Sequence, residues 1–261
     1  MEFYQIYLQG LAVIVIFMTL LWVVSVFKKN ASIVDPFWGF AYVLLAWFYF
    51  NQVEEQSIRQ YVVLALVTIW GLRLSIFLGI RNSGKGEDFR YQQFRKDFGA
   101  ERYWWVSFFQ VFLLQGILAW LVSAPLLGAQ KGINSEFGII DMVAIAIWIF
   151  GFIFEAGGDY QLSKFKAKAE NKGKLLTTGL WKYTRHPNYF GDGFQWIAFA
   201  LFSVANHCYL PILSAVLMNF LLLKVSGVKL LEKTLSKTKP GFEDYMRNTP
   251  SFFPWFPKNR G

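Results

Sequence analysis

Eight consecutive residues hold the densest chemistry in the chain: Arg185, His186, Pro187, Asn188, Tyr189, Phe190, Gly191 and Asp192. They combine a fixed cation, a titratable ring, an amide, a phenol and a carboxylate. Pro187 suits the first turn of a helix, where its missing N–H costs nothing. The apolar run Phe194–Ala205 then reads as the body of that helix. Polar groups at the mouth of an apolar helix fit two roles. One is an interfacial anchor, with aromatics among lipid headgroups and Arg185 on their phosphates. The other is a binding site for a polar, anionic head. Asn188 and Asp192 can cap the helix and meet its dipole, or offer the donor and acceptor that a carboxamide needs.

Further groups invite the same weighing. Glu155 and Asp159 are four apart and share a helix face. Carboxylates at the end of a membrane span are costly unless they serve a site or reach water. Asp35-Pro36 reads as an N-cap followed by proline at the first helical position. Asp35 also lies between Val34 and Phe37-Trp38, where a carboxyl would titrate high and could protonate a substrate carbonyl. Glu87, Asp88, Arg90 and Tyr91 form a charged stretch, either simply solvated or carrying Tyr91 as a phenolic proton donor. Arg73, inside an apolar run, calls for an ion pair with Asp35, Glu155 or a bound phosphate. Glu232 could orient Arg185 or Lys229, or face solvent.

The elements that must position these groups are apolar helices. Of 261 residues, 55% are hydrophobic and 20% aromatic, with mean hydropathy +0.34, more apolar than a soluble domain. One cysteine and two histidines exclude an internal disulfide and argue against a metal centre. Seven runs approach the length needed to cross about 30 Å of hydrocarbon: Leu8–Phe27, Pro36–Phe50, Tyr61–Ile80, Tyr103–Leu127, Phe137–Phe154, Gly193–Ala205 and Tyr209–Val228. The first follows a leader without basic residues, so it reads as a retained span and not a signal peptide. Of the 26 lysines and arginines, 23 then fall on one side, including Lys258 and Arg260 in the tail. Only Arg59 and Lys131 fall on the other, and Arg73 lies within a span. The net charge of +9 follows from the positive-inside rule without invoking nucleic acid. The expectation is an all-α polytopic integral membrane helix bundle of about seven transmembrane helices, N-terminus out and C-terminus cytoplasmic. It forms a single membrane domain in the cytoplasmic membrane if bacterial, with its site openings facing the cytoplasm.

The run from Arg185 to Asp192 resembles the C-terminal signature of the steroid 5-alpha-reductase and sterol-reductase superfamily, closest to its small bacterial branch. Ser32 to Gly39, Gly86 to Tyr91, Phe242 to Tyr245 and Phe253-Pro254 fit the same pattern. The resemblance implies NADPH-dependent reduction of a carbon–carbon double bond, conjugated to a carbonyl, in a lipid-soluble steroid-like or isoprenoid substrate. It implies that residues 1–136 face the substrate and 137–261 the cofactor. Asp159 would meet the adenosine portion, and Lys166 and Lys174 the phosphates, lysines suiting a 2′-phosphate as point charges. Asn188 and Asp192 would meet the nicotinamide, with Trp181, Arg185, His186 and Tyr189 as further cofactor contacts. An embedded acid and a tyrosine grip the ketone in similar reductases, and Asp35 and Tyr91 are the matching candidates. No G-x-G-x-x-G occurs, so any dinucleotide lies among helix ends and not on a Rossmann sheet. The Arg-His-Pro-x-Tyr-x-Gly core also resembles isoprenylcysteine carboxyl methyltransferases, which makes an S-adenosylmethionine-dependent membrane methyltransferase the alternative.

Overall fold

The computed structural model describes residues 1–54, 56–134, 136–225 and 227–257, so Lys258 and Arg260 lie outside the described residues. Among them all regular structure is helical and there is no strand. The principal helices are α1 (Phe3–Lys28), α2 (Phe37–Phe50), α3 (Ile58–Asn82), α4 (Phe89–Phe98), α5 (Tyr103–Gln130), α6 (Ile139–Ala167), α7 (Pro187–Ala205), α8 (Ile212–Thr238) and α9 (Phe242–Asn248). Helices α5 and α8 each contain a π-helical turn, at Phe108–Leu113 and Leu221–Val225.

Among the described residues five helices, not seven, are long and apolar enough to cross a membrane: α1, α3, α5, α6 and α8. This corrects the expected count. Helix α2 has 14 residues, about 21 Å at 1.5 Å per residue, short of the hydrocarbon thickness. Helix α7 has 19 residues, but its first half carries Asn188, Asp192 and Gln195. The outer faces suit lipid. Only 28% of the apolar window of α1 is buried, and Phe27 is 83% exposed. Exposed apolar surface on this scale marks contact with a bilayer.

The chain divides into two compact units, one of Met1–Phe137 with Ser203–Pro211, the other of Gly138–Phe202 with Ile212–Gly261. In the first unit α2 and α3 pack backbone to backbone at Gly39 and Gly71, where a Cβ on either residue would overlap the other's carbonyl. Small residues at such crossings let helices in lipid gain the close contact that hydrophobic burial does not provide there. Beside the crossing the Phe40 amide donates to Ser75 Oγ at 2.9 Å. At the far end of α2 the Phe50 and Tyr61 rings meet at 5.3 Å. Arg59 closes that end. Read from sequence as a loop charge, it is 1% exposed and donates to the carbonyls of Asn134 and Glu136 and, at 3.3 Å, to Asn206 Oδ1.

In the second unit α6 and α7 touch in the same way at Gly151 and Gly191. Phe190 sits beside the crossing, 5.2 Å from the Phe154 ring and 5.8 Å from Phe252, over Val228.

Replacing Gly39 or Gly71 with leucine is expected to lower the thermal stability of the detergent-purified protein by about 1–3 kcal/mol, the usual penalty for overpacking. Gly79, on the same helix with nothing near its Cβ position, should accept alanine without loss. Unfolding followed by tryptophan fluorescence compares the three, and equal stabilities would contradict the crossing.

Candidate functional site

The first cluster is built where α1 ends and α4 begins. Lys29 terminates α1 in the left-handed conformation, and Asn30 Oδ1 then accepts from the Ser32 amide at 2.9 Å. The resulting short turn is tied to the segment before α4. Glu87 Oε1 accepts from the Ala31 amide at 2.8 Å, and the Asp88 amide donates to Ser32 Oγ at 3.1 Å.

These ties bring Asp35 and Tyr91 together. The Tyr91 hydroxyl donates to Asp35 Oδ1 at 2.6 Å, and Arg90 Nη2 donates to Asp35 Oδ2 at 2.9 Å. Gln115 Nε2 donates to the Tyr91 oxygen at 3.3 Å, and its own carbonyl is held by the Trp38 indole at 2.6 Å. The expected capping role of Asp35 does not occur: Pro36 occupies the cap, and both carboxylate oxygens point to α4. Nor is the Glu87–Tyr91 stretch merely solvated.

Burial pushes the Asp35 carboxyl above the usual carboxylate range, against the pull of the Tyr91 hydrogen bond and the Arg90 charge. Burial, reinforced by the Asp35 charge and hydrogen bond, holds Tyr91 well above the ordinary phenol value. The phenol therefore stays protonated through the neutral range and keeps a proton to share. The Arg73 guanidinium lies over the Phe77 ring at 5.9 Å.

The second cluster lies along the α6–α7 crossing. Glu155 and Asp159 on α6 meet Gln195 and Asn188 on α7. Asn188 Nδ2 donates to Asp159 Oδ1 at 3.1 Å, and Gln195 Nε2 donates to Glu155 Oε2 at 2.5 Å. Gly191 lies between the two amides and lets the helices approach. Asn188 thus sits inside the first turn of α7 with its side chain turned to Asp159, not capping the helix. Asp192 is buried in the same turn region. Lys166 and Lys174, assigned to phosphates, are both exposed.

The remaining motif residues face the C-terminal tail. Arg185 is 8% exposed. It pairs with Glu232 at 2.8 Å and donates to the carbonyls of Met246, at 2.9 Å, and Thr249. His186 Nε2 hydrogen-bonds the same Glu232 oxygen at 3.0 Å, and its ring stacks on Tyr189 at 5.7 Å. The Trp181 indole donates to Gly158 O at 3.1 Å, and the Tyr245 hydroxyl donates to Trp181 O. The polar groups of Arg185 and Trp181 are thus committed to protein partners. Among the described residues Asn188 keeps its carbonyl and a second N–H beyond its bond to Asp159, the pairing a carboxamide ligand requires.

Sequence reasoning did not single out Gln195 or Gln115. Gln195 was detectable: it follows Asn188 by seven residues, so the two share a stripe of α7, as Glu155 and Asp159 do on α6. Nothing local marked Gln115, whose partners are 24 and 77 residues away.

Glu232→Ala leaves the buried Arg185 without its carboxylate and is expected to cost about 3–5 kcal/mol. The tail after α8 should then become sensitive to limited proteolysis at concentrations that spare the unchanged protein. A tail equally resistant in both would remove Arg185 from the role of clasp.

The model of a family described as "Protein of unknown function (DUF1295)" matches residues 21–249, a span that takes in both clusters. The chain is similar to an uncharacterized protein of Schizosaccharomyces pombe, 28% identical over 274 residues of alignment that cover 95% of this chain and 79% of the yeast protein. No solved structure matches. With its family model spanning helices from the middle of α1 to the end of α9, the chain belongs to the DUF1295 family of proteins of unknown function.

Proposed function

We propose that this protein is an NADPH-dependent membrane reductase of a carbon–carbon double bond conjugated to a carbonyl in a lipid-soluble substrate. The observation that carries the proposal is the 2.6 Å hydrogen bond between Tyr91 and Asp35. A buried acid and phenol, braced by Arg90 and Gln115 in an apolar bundle, form a ready donor for a carbonyl oxygen. Such a preorganised donor stabilises charge that develops there in the transition state. When bound, NADPH supplies the hydride that the β-carbon of the enone accepts. As that carbon gains the hydride, the double-bond electrons shift onto the carbonyl oxygen. Tyr91 would turn its O–H from Asp35 to that oxygen, with Gln115 still donating to the phenol oxygen and Arg90 holding the Asp35 carboxylate in place. A proton from water completes the α-carbon. Asn188 and Asp192 would hold the carboxamide end of the cofactor, Asp159 its adenosine portion, and Lys166 and Lys174 its phosphates. A methyl donor carries no phosphate and needs no acid–phenol pair, so both features favour reduction over methyl transfer.

The test uses two variants with different signatures. Tyr91→Phe should leave NADPH binding unchanged and slow enone-dependent NADPH oxidation about a hundredfold, the lower range for a lost general acid. Asn188→Ala should weaken NADPH at least tenfold, about 1.4 kcal/mol, and leave adenosine 2′,5′-bisphosphate binding intact, since that ligand lacks the nicotinamide half. Normal behaviour of both variants, or no NADPH binding by the unchanged protein, refutes the proposal.

We also propose a cytoplasmic C-terminus, supported by the basic residues that follow α8, Lys239, Arg247, Lys258 and Arg260. A reporter active only in the cytoplasm, fused after Gly261, should be active. A silent but well-expressed fusion reverses the orientation.

A further inference from the structure

A cleft of about 570 Å³ opens at the end of α1, lined by Ser25, Lys29, Arg95, Tyr103, Trp104 and Ser107 among others. Its volume is in the range of small-ligand sites, and none of Asp35, Arg90, Tyr91 and Gln115 lines it. Three features of its lining point to one ligand chemistry.

First, Arg95 is held from three sides. Its Nε and Nη2 bond Glu87 at 3.1 and 2.9 Å, Nη2 reaches Lys29 O at 3.4 Å, and the guanidinium lies 4.6 Å from the Tyr103 ring centre. This leaves Nη1 without a protein partner among the described residues. A guanidinium fixed in this way presents its remaining donors at little entropic loss. Second, Lys29 occupies the left-handed region at φ 49°, where the end of a helix favours glycine. A lysine in that strained position is a pointer to function, and its ammonium forms no ion pair among the described residues. Third, the buried Tyr103 hydroxyl has no hydrogen-bond partner among the described residues, an uncommon condition for a buried donor. The hydroxyls of Ser25 and Ser107 are already donating within their own helices, so the free donors are Lys29, Arg95 and Tyr103.

We infer that this cleft binds a phosphate group. Glu87 offsets the charge of Arg95, so one net positive charge remains, matching the single negative charge of a phosphodiester. The surroundings favour a phospholipid as the source. Trp22 donates to Trp104 O at 2.7 Å, and Trp104, Trp105 and Phe27 are exposed. Tryptophans placed in this way settle at the headgroup level of a bilayer, with the apolar flank of α1 below them for acyl chains.

The experiment titrates detergent-purified protein separately with phosphatidylglycerol, phosphatidylcholine and inorganic phosphate, reading the melting temperature and lipid retention by native mass spectrometry. Phosphatidylglycerol should raise the melting temperature by several degrees and stay bound, with phosphatidylcholine much weaker. Lys29→Gly relieves the backbone strain, so its ligand-free melting temperature should not fall, yet its phosphatidylglycerol midpoint should rise at least tenfold; Lys29→Arg should restore binding. A comparable shift with inorganic phosphate alone would keep the site and assign it to a soluble phosphate. Equal responses to both lipids, or an unchanged midpoint in Lys29→Gly, would overturn the inference. None of these readings depends on reductase activity.

Discussion

Two pairs of glycines allow helix backbones to touch, and the polar chemistry of the second unit depends on that contact. In a bilayer, hydrocarbon tails are as apolar as leucine, so helices gain little by burying apolar side chains against one another. Close packing replaces that driving force. Gly39 and Gly71 hold α2 on α3, and Gly151 and Gly191 hold α6 on α7. At the second crossing the approach is what brings Asn188 within reach of Asp159 and Gln195 within reach of Glu155. Two side-chain amides then satisfy two carboxylates that would be very costly to leave unpaired in an apolar setting.

The same need for satisfaction explains how the eight-residue motif divides its labour. Arg185 and His186 converge on Glu232, and Arg185 also gathers the carbonyls of Met246 and Thr249. A guanidinium has five donors in a rigid fork, so one residue can tie a helix and a tail together. Asn188 turns to α6 instead. A motif that looks like one site in sequence therefore contains a structural clasp on one side and a ligand-capable amide on the other.

The acid–phenol cluster has a different construction. Asp35 is placed by a turn and Tyr91 by a short amphipathic helix, and their meeting depends on the bonds from Glu87 to Ala31 and from Asp88 to Ser32. Trp38 fixes Gln115, and Gln115 fixes the Tyr91 oxygen. Each group has a partner that restricts its rotation.

Hydropathy along the chain determined the helices, because the transfer free energy of a segment is a sum over its own residues and needs no partner. It therefore located α1, α3, α5, α6 and α8 and marked the polar stretches between them. Residue chemistry also marked Asp35, Tyr91, Asp159 and Asn188 as unusual for their apolar surroundings. The tertiary structure alone decided their partners. Asp35 and Tyr91 are 56 residues apart, and Arg185 and Glu232 are 47 apart. No local rule selects such pairs, since they follow from which helices cross and in what register. The number of long spans was also beyond sequence: α2 and α7 are apolar, but one stops after 14 residues and the other begins with polar groups turned to α6. Arg59 makes the same point. Its charge suggested a loop facing water, and only the folded chain supplied the carbonyls that let it lie buried.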